Sequence, residues 1–248
     1  MEWVPFEFCD SVAFASPKWT LQALRDIDGY WSTAVDNTVE SRLELSLGLM
    51  KGDDSWYYKL RSTLKTVSIE EAFAKKDFVV FTAIKVDNVT AYCNTIPFDQ
   101  LETFITFVSE RQLLGDLELG AWIYGKKIAN WFKNCCFRSI QMPYSPVYDE
   151  LLLSNLSLPT LSKLSLTSKV GDTVSSSICE WAVNRTRRFC LMLMDSPNVK
   201  FNFKLIEKIF DDWQNFKSPS FYTIFNGYVD FDYAKAYGKN YAHTLRNL

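Results

Sequence analysis

Few residues in this chain can carry chemistry at neutral pH. It has a single histidine, His243, and six cysteines, Cys9, Cys93, Cys135, Cys136, Cys179 and Cys190. A general base must be held within hydrogen-bond reach of its target, and His243 stands beyond Gly238 and Asn240 in a polar terminal segment. The cysteines form no C-x-x-C pair and are unevenly spaced, which excludes a zinc site of the usual kinds and a disulfide framework. No G-x-x-x-x-G-K-[ST] occurs, nor a G-x-G-x-x-G opening a helix, so a phosphate cradle is missing. The acidic pairs read as a turn (Asp53-Asp54), a helix N-terminus (Glu70-Glu71) and a solvated helix face (Asp211-Asp212). Arg185, Arg187 and Arg188 follow a predicted helix, where cations answer the helix dipole; the same cluster can hold an acidic or phosphorylated partner. The expectation is a protein with no catalytic residue, no metal and no cofactor, and not an enzyme.

Composition points the same way. The 248 residues are 48% hydrophobic and 23% charged, ordinary for a folded chain with one large or two small cores. A formal charge of -2 gives no electrostatic reason to bind nucleic acid or an anionic membrane. Eight Trp, 12 Tyr and 19 Phe are spread along the chain, mostly to fill the core. Glu2 and Asp10 stand where a secretory leader needs a basic and then an apolar stretch, and no apolar run is long enough to span a bilayer. Reduced thiols and a cytoplasmic or nuclear location are expected, and the triplets beginning at Asn88, Asn155 and Asn184 are then chance sequons.

The periodicity divides the chain into three. Residues 1–42 read as three short helices: one entered at Pro5 and carrying Phe8 and Val12, a second behind Thr20 with Leu21 and Leu24, a third around Trp31. Residues 43–135 begin with strict alternation at Leu43, Leu45 and Leu47, a turn at Gly52-Asp53-Asp54, and a second strand through Trp56, Tyr58 and Leu60. A second hairpin is expected from Phe78–Ile84 and Val89–Ile96 about a turn at Lys85-Val86-Asp87-Asn88, making an antiparallel β middle. Helices follow, from Phe98 with Leu101, Phe104, Ile105 and Val108, and over Leu119–Asn134, with breaks at Gly115 and Gly120. Residues 136–248 alternate strands with helices. Ile140 to Leu164 is 24 positions and Leu164 to Leu191 is 27, inside the leucine-rich-repeat range. Phe221–Phe225 is a fourth strand, Phe203–Trp213 a further helix, and a polar tail begins at Val229. The expected class is mixed α+β and α/β, with a leucine-rich-repeat-like C-terminal region of parallel strands.

The order Val4-Pro5, Phe8, Val12, Leu21, Leu24 and Trp31 resembles the F-box, in which a Leu-Pro pair, spaced aliphatics, a Leu-x-x-Leu and a Trp follow at similar intervals. Here Val replaces the first Leu, Phe stands at position 8, and Asp26-Ile27-Asp28-Gly29 occupies the place of an apolar-Cys-basic run. The chain looks most like the divergent F-box-like proteins expanded in nematodes, over its first sixth only. The resemblance implies that Val4, Pro5, Phe8, Val12, Leu21, Leu24 and Trp31 bind the Skp-type adaptor of a cullin-RING ubiquitin ligase, while the C-terminal region holds an unidentified protein substrate. The competing reading is a stand-alone regulatory or binding protein that keeps only the fold of such a unit.

Overall fold

The structure, a computed structural model, describes residues 4–52, 55–63, 65–88, 94–120, 125–184, 189–202, 204–205, 207, 224–226 and 228–229. The expected polar tail, His243, Arg185, Arg187, Arg188 and most of the helix expected over Phe203–Trp213 lie outside them. The fold is mixed α/β, and its contacts divide it into two compact units, Met1–Asp116 and Leu117–Leu248.

The first unit opens with three helices, α1 (Phe6–Ala15), α2 (Lys18–Arg25) and α3 (Trp31–Ser41). Pro5 and Pro17 stand at the N-caps of α1 and α2, each with the fixed φ that suits a helix start. The α2 start is therefore set by Pro17, and Thr20 is inside the helix rather than capping it. Gly29, at φ 91°, supplies the left-handed residue that turns the chain from α2 into α3.

Strands β1 (Leu43–Lys51) and β2 (Trp56–Arg61) form the expected antiparallel hairpin, and the short β3 (Thr66–Val67) pairs with β2. Helix α4 (Ile69–Ala74), capped by Ser68 Oγ accepting from the Glu71 amide, leads to β4 (Val79–Asn88). Here the structure corrects the sequence reading. β4 runs straight through the turn expected at Lys85–Asn88 and lies parallel to β1, while β5 (Asn94–Ile96) pairs with β2. The unit is thus mixed rather than antiparallel. Val79, Val80, Phe81, Ile84 and Val86 are all buried, the signature of an interior strand covered on both faces.

Helix α5 (Phe98–Glu110) buries Leu101, Phe104, Ile105 and Val108, the four positions its spacing selected. It is followed by β6 (Gln112–Leu119), within which the division between the units falls. Gly115, expected as a break, is inside this strand. A Cβ there would lie 2.1 Å from the Thr82 carbonyl oxygen, so β4 and β6 approach too closely for any other residue. The strand order is β6-β4-β1-β2-β3, with β5 also on β2.

The second unit contains α6 (Gly125–Phe132), β7 (Phe137–Pro143), a 3-10 turn over Pro146–Tyr148, α7 (Asp149–Leu156), β8 (Lys163–Thr167), α8 (Asp172–Asn184) and β9 (Cys190–Leu193). The helix expected over Leu119–Asn134 is therefore shorter, because β6 extends through Leu119. Strands β10 (Lys200–Phe201), β11 (Ile224–Asn226) and β12 (Tyr228–Val229) complete the described elements, with β10 and β12 forming a separate parallel pair. β7, β8, β9 and β11 are parallel neighbours in the order β11-β9-β8-β7. Ile140 faces Leu164 and Leu164 faces Leu191 in register.

Two buried acids of high pKa sit in this unit. Burial, with the neighbouring Cys136 second, pushes the Cys135 thiol from 9.0 to about 12. Burial and the hydrogen bond that Tyr144 Oη donates to Asp149 (2.8 Å) push the phenol from 10.0 to about 12. Both folded values exceed the unfolded ones, so the fold favours the protonated forms. Their contribution is complete below about pH 9 and is lost as pH rises towards 12. The thermal midpoint should accordingly be flat to about pH 9 and fall above it, with a shallower fall in Tyr144→Phe. A wild-type midpoint constant to pH 11.5 would exclude this linkage.

Candidate docking face

Helix α1 is apolar on two sides. Its inward residues, Cys9 and Ala13, are buried with Leu21 of α2 and Trp31, Ala34 and Val35 of α3, and Val4, Phe6, Val12, Leu24 and Ile27 pack around that cluster. The N-cap Pro5 and the outward residues Phe8 and Ala15 are exposed, and with half-buried Val12 at the edge of the cluster they follow one another at spacings of three and four, which places them in one stripe along the helix. A helix that only covered a core would be polar on that side.

Phe8 is the centre of the stripe. It is 54% exposed, and its ring meets Trp31 edge-on, with centroids 6.2 Å apart and planes at 84°. Phe6 meets Tyr30 in the same way at 5.9 Å and 86°. Tyr30, at the N-cap of α3, is itself 57% exposed. The only charged residues of α1 are Glu7 and Asp10, and helical spacing places both away from the stripe. Arg25 of α2 is engaged by Asp36 of α3, an ion pair that fastens those two helices together.

The seven residues singled out by the motif therefore separate into two groups. Pro5 and Phe8 are exposed, and Val4, Val12 and Leu24 are half-buried. Leu21, at 4% exposure, and Trp31, at 7%, are inside the three-helix cluster and act on the face from beneath. Phe6 and Tyr30 make a ring contact between α1 and the start of α3 and were not in the motif. Their aromatic character beside Pro5 and Trp31 was the available signal. Arg185, Arg187 and Arg188 cannot be related to this face, since they lie outside the described residues.

The second unit has a groove of about 490 Å³ between the end of α7 and one face of α8. Leu153, Leu156, Pro159 and Trp181 line it, with Glu180 as its charged member. Among the described residues no group of three His, Cys, Asp or Glu side chains could hold a metal ion. No helix among them is long and apolar enough to cross a membrane. No family model, curated protein or solved structure matches the chain.

Proposed function

We propose that this chain is a protein–protein interaction adaptor, the substrate-recognition subunit of a Skp-cullin-F-box-type ubiquitin ligase. The observation that carries the reading is the exposed pair Pro5 and Phe8 at the start of α1, with half-buried Val12 beside them, in a three-helix unit whose motif order resembles the F-box. An exposed aromatic at the centre of an apolar stripe costs solubility unless a partner covers it. In this reading the face binds a Skp-type adaptor, and no cofactor or catalytic residue is needed.

The second unit, with helices between parallel strands, is assigned the capture of the protein to be ubiquitinated. Its leucine-rich-repeat-like character rests on the 24 and 27 residue spacings. Arg185, Arg187 and Arg188 are its candidate partner contacts on sequence grounds alone.

The burial of Leu21 and Trp31 favours a second reading, in which the helices are a self-sufficient cap and the chain is a stand-alone regulatory or binding protein. One double variant separates the two. Pro5→Ala with Phe8→Ala should weaken binding to a purified Skp-type adaptor by about tenfold or more, as for a central aromatic contact. The thermal midpoint should move only slightly, because both side chains are exposed. No adaptor binding by the wild-type chain would leave the second reading standing.

A further inference from the structure

Arg42, between α3 and β1, has its side chain only 3% exposed, the most buried ionised partner among the described ion pairs. Its Nη1 donates to the carbonyl oxygens of Phe14 (3.1 Å) and Ser16 (2.6 Å), at the C-terminal end of α1. Its Nη2 donates to Glu44 Oε1 (2.5 Å), on β1. Its backbone amide closes α3 by donating to Thr38 O (2.9 Å). One residue thus holds the end of α1, the end of α3 and the start of the sheet.

These contacts add to the packing of α1, whose Cys9 and Ala13 are buried in the three-helix cluster with Phe6 and Val12 packed around it. The last carbonyls of a helix have no intrahelical partner and carry its negative dipole end, so a buried cation on them is favoured both as donor and as charge. Removing one member of a buried, hydrogen-bonded charge set costs more than the set is worth intact. The polar contacts therefore fix the C-terminal end of α1, while the apolar cluster fixes the face that it turns inward.

We propose that Arg42 is a positioning residue that clamps α1 to β1, so that the docking stripe is presented in one orientation and a partner seated on it is coupled to the sheet of the first unit. The second part rests on the docking function proposed above, whereas the clamp itself does not. A lysine in its place keeps the charge but not the planar fork that reaches two carbonyls and a carboxylate together.

The test is amide hydrogen exchange on the full chain, comparing wild type, Arg42→Lys and Glu44→Gln. Exchange of the amides from Cys9 to Ser16 should accelerate about tenfold or more in Arg42→Lys and less in Glu44→Gln, with those of Leu45 to Leu49 nearly unchanged. Equal acceleration in α1 and β1 would show a general stabiliser, and unchanged α1 exchange would show no clamp; either overturns the proposal. If Arg42→Lys does not fold, Glu44→Gln alone decides on the same criterion. Arg42→Lys should also bind a purified Skp-type adaptor several-fold more weakly with the stripe residues intact. Wild-type chain that fails to bind the adaptor would remove the docking function and leave the exchange result to judge the clamp.

Discussion

Leu164→Ala should lower the free energy of unfolding by about 2 to 5 kcal/mol, the range for deleting a leucine side chain from a packed core. Leu164 is fully buried in the middle of β8, with Ile140 of β7 and Leu191 of β9 directly beside it in register, both also fully buried. Its neighbours Ser165 and Leu166 are buried as well, so β8 is covered on both faces and the cavity cannot fill with solvent from an open side. The upper half of the range is expected for this reason, since the cost grows with the volume that the surroundings fail to close. Urea denaturation of the two proteins measures it. A difference of a few tenths of a kcal/mol would mean that the second unit is not built on this strand.

That register was legible in the sequence because leucines spaced L-x-x-L-x-L can be covered only if neighbouring strands align them. The N-terminal helices were legible too, since Pro5 fixes φ at the start of α1, although the start of α2, read at Thr20, lies at Pro17. What failed were the readings at Lys85–Asn88 and Gly115, where local composition was overruled by a distant neighbour. Lys85-Val86-Asp87-Asn88 has turn composition, yet Val86 is buried in β4, which continues alongside β1. Gly115 reads as a break until Thr82 is placed against it.

The candidate face shows the same limit at the level of single side chains. Spacing put Phe8 and Val12 on one side of a helix, but it did not say whether that side or the one bearing Cys9 meets α3. The packing of Cys9 and Ala13 against Trp31, Ala34 and Val35 decides it, because small side chains let the two helices come close. Arg42 was invisible for a similar reason: its acceptors at Phe14 and Ser16 lie 28 and 26 residues away.

Asn155→Ala should destabilise the second unit by about 2 to 4 kcal/mol, although it deletes only a small polar side chain. Asn155 is fully buried on α7. Its Nδ2 donates to the carbonyls of Cys135 (3.1 Å) and Leu151 (3.0 Å), and its Oδ1 accepts from the Phe137 amide (2.8 Å). The side chain thus takes the place of a backbone partner for the segment that enters β7. Alanine leaves the Phe137 amide and the Cys135 carbonyl facing an apolar interior without water, and each such orphan costs about 1 to 3 kcal/mol. Asn155→Asp makes a sharper comparison. An ionised aspartate still accepts from the Phe137 amide but opposes the Cys135 carbonyl, whereas a protonated one can donate to it. Burial raises the pKa of such a carboxyl in the folded state, so the deficit of Asn155→Asp should shrink as pH falls from 7 towards 4, while that of Asn155→Ala stays constant. Urea midpoints at both pH values would decide, and an Asn155→Ala deficit below about 0.5 kcal/mol would show that other groups satisfy the entry to β7.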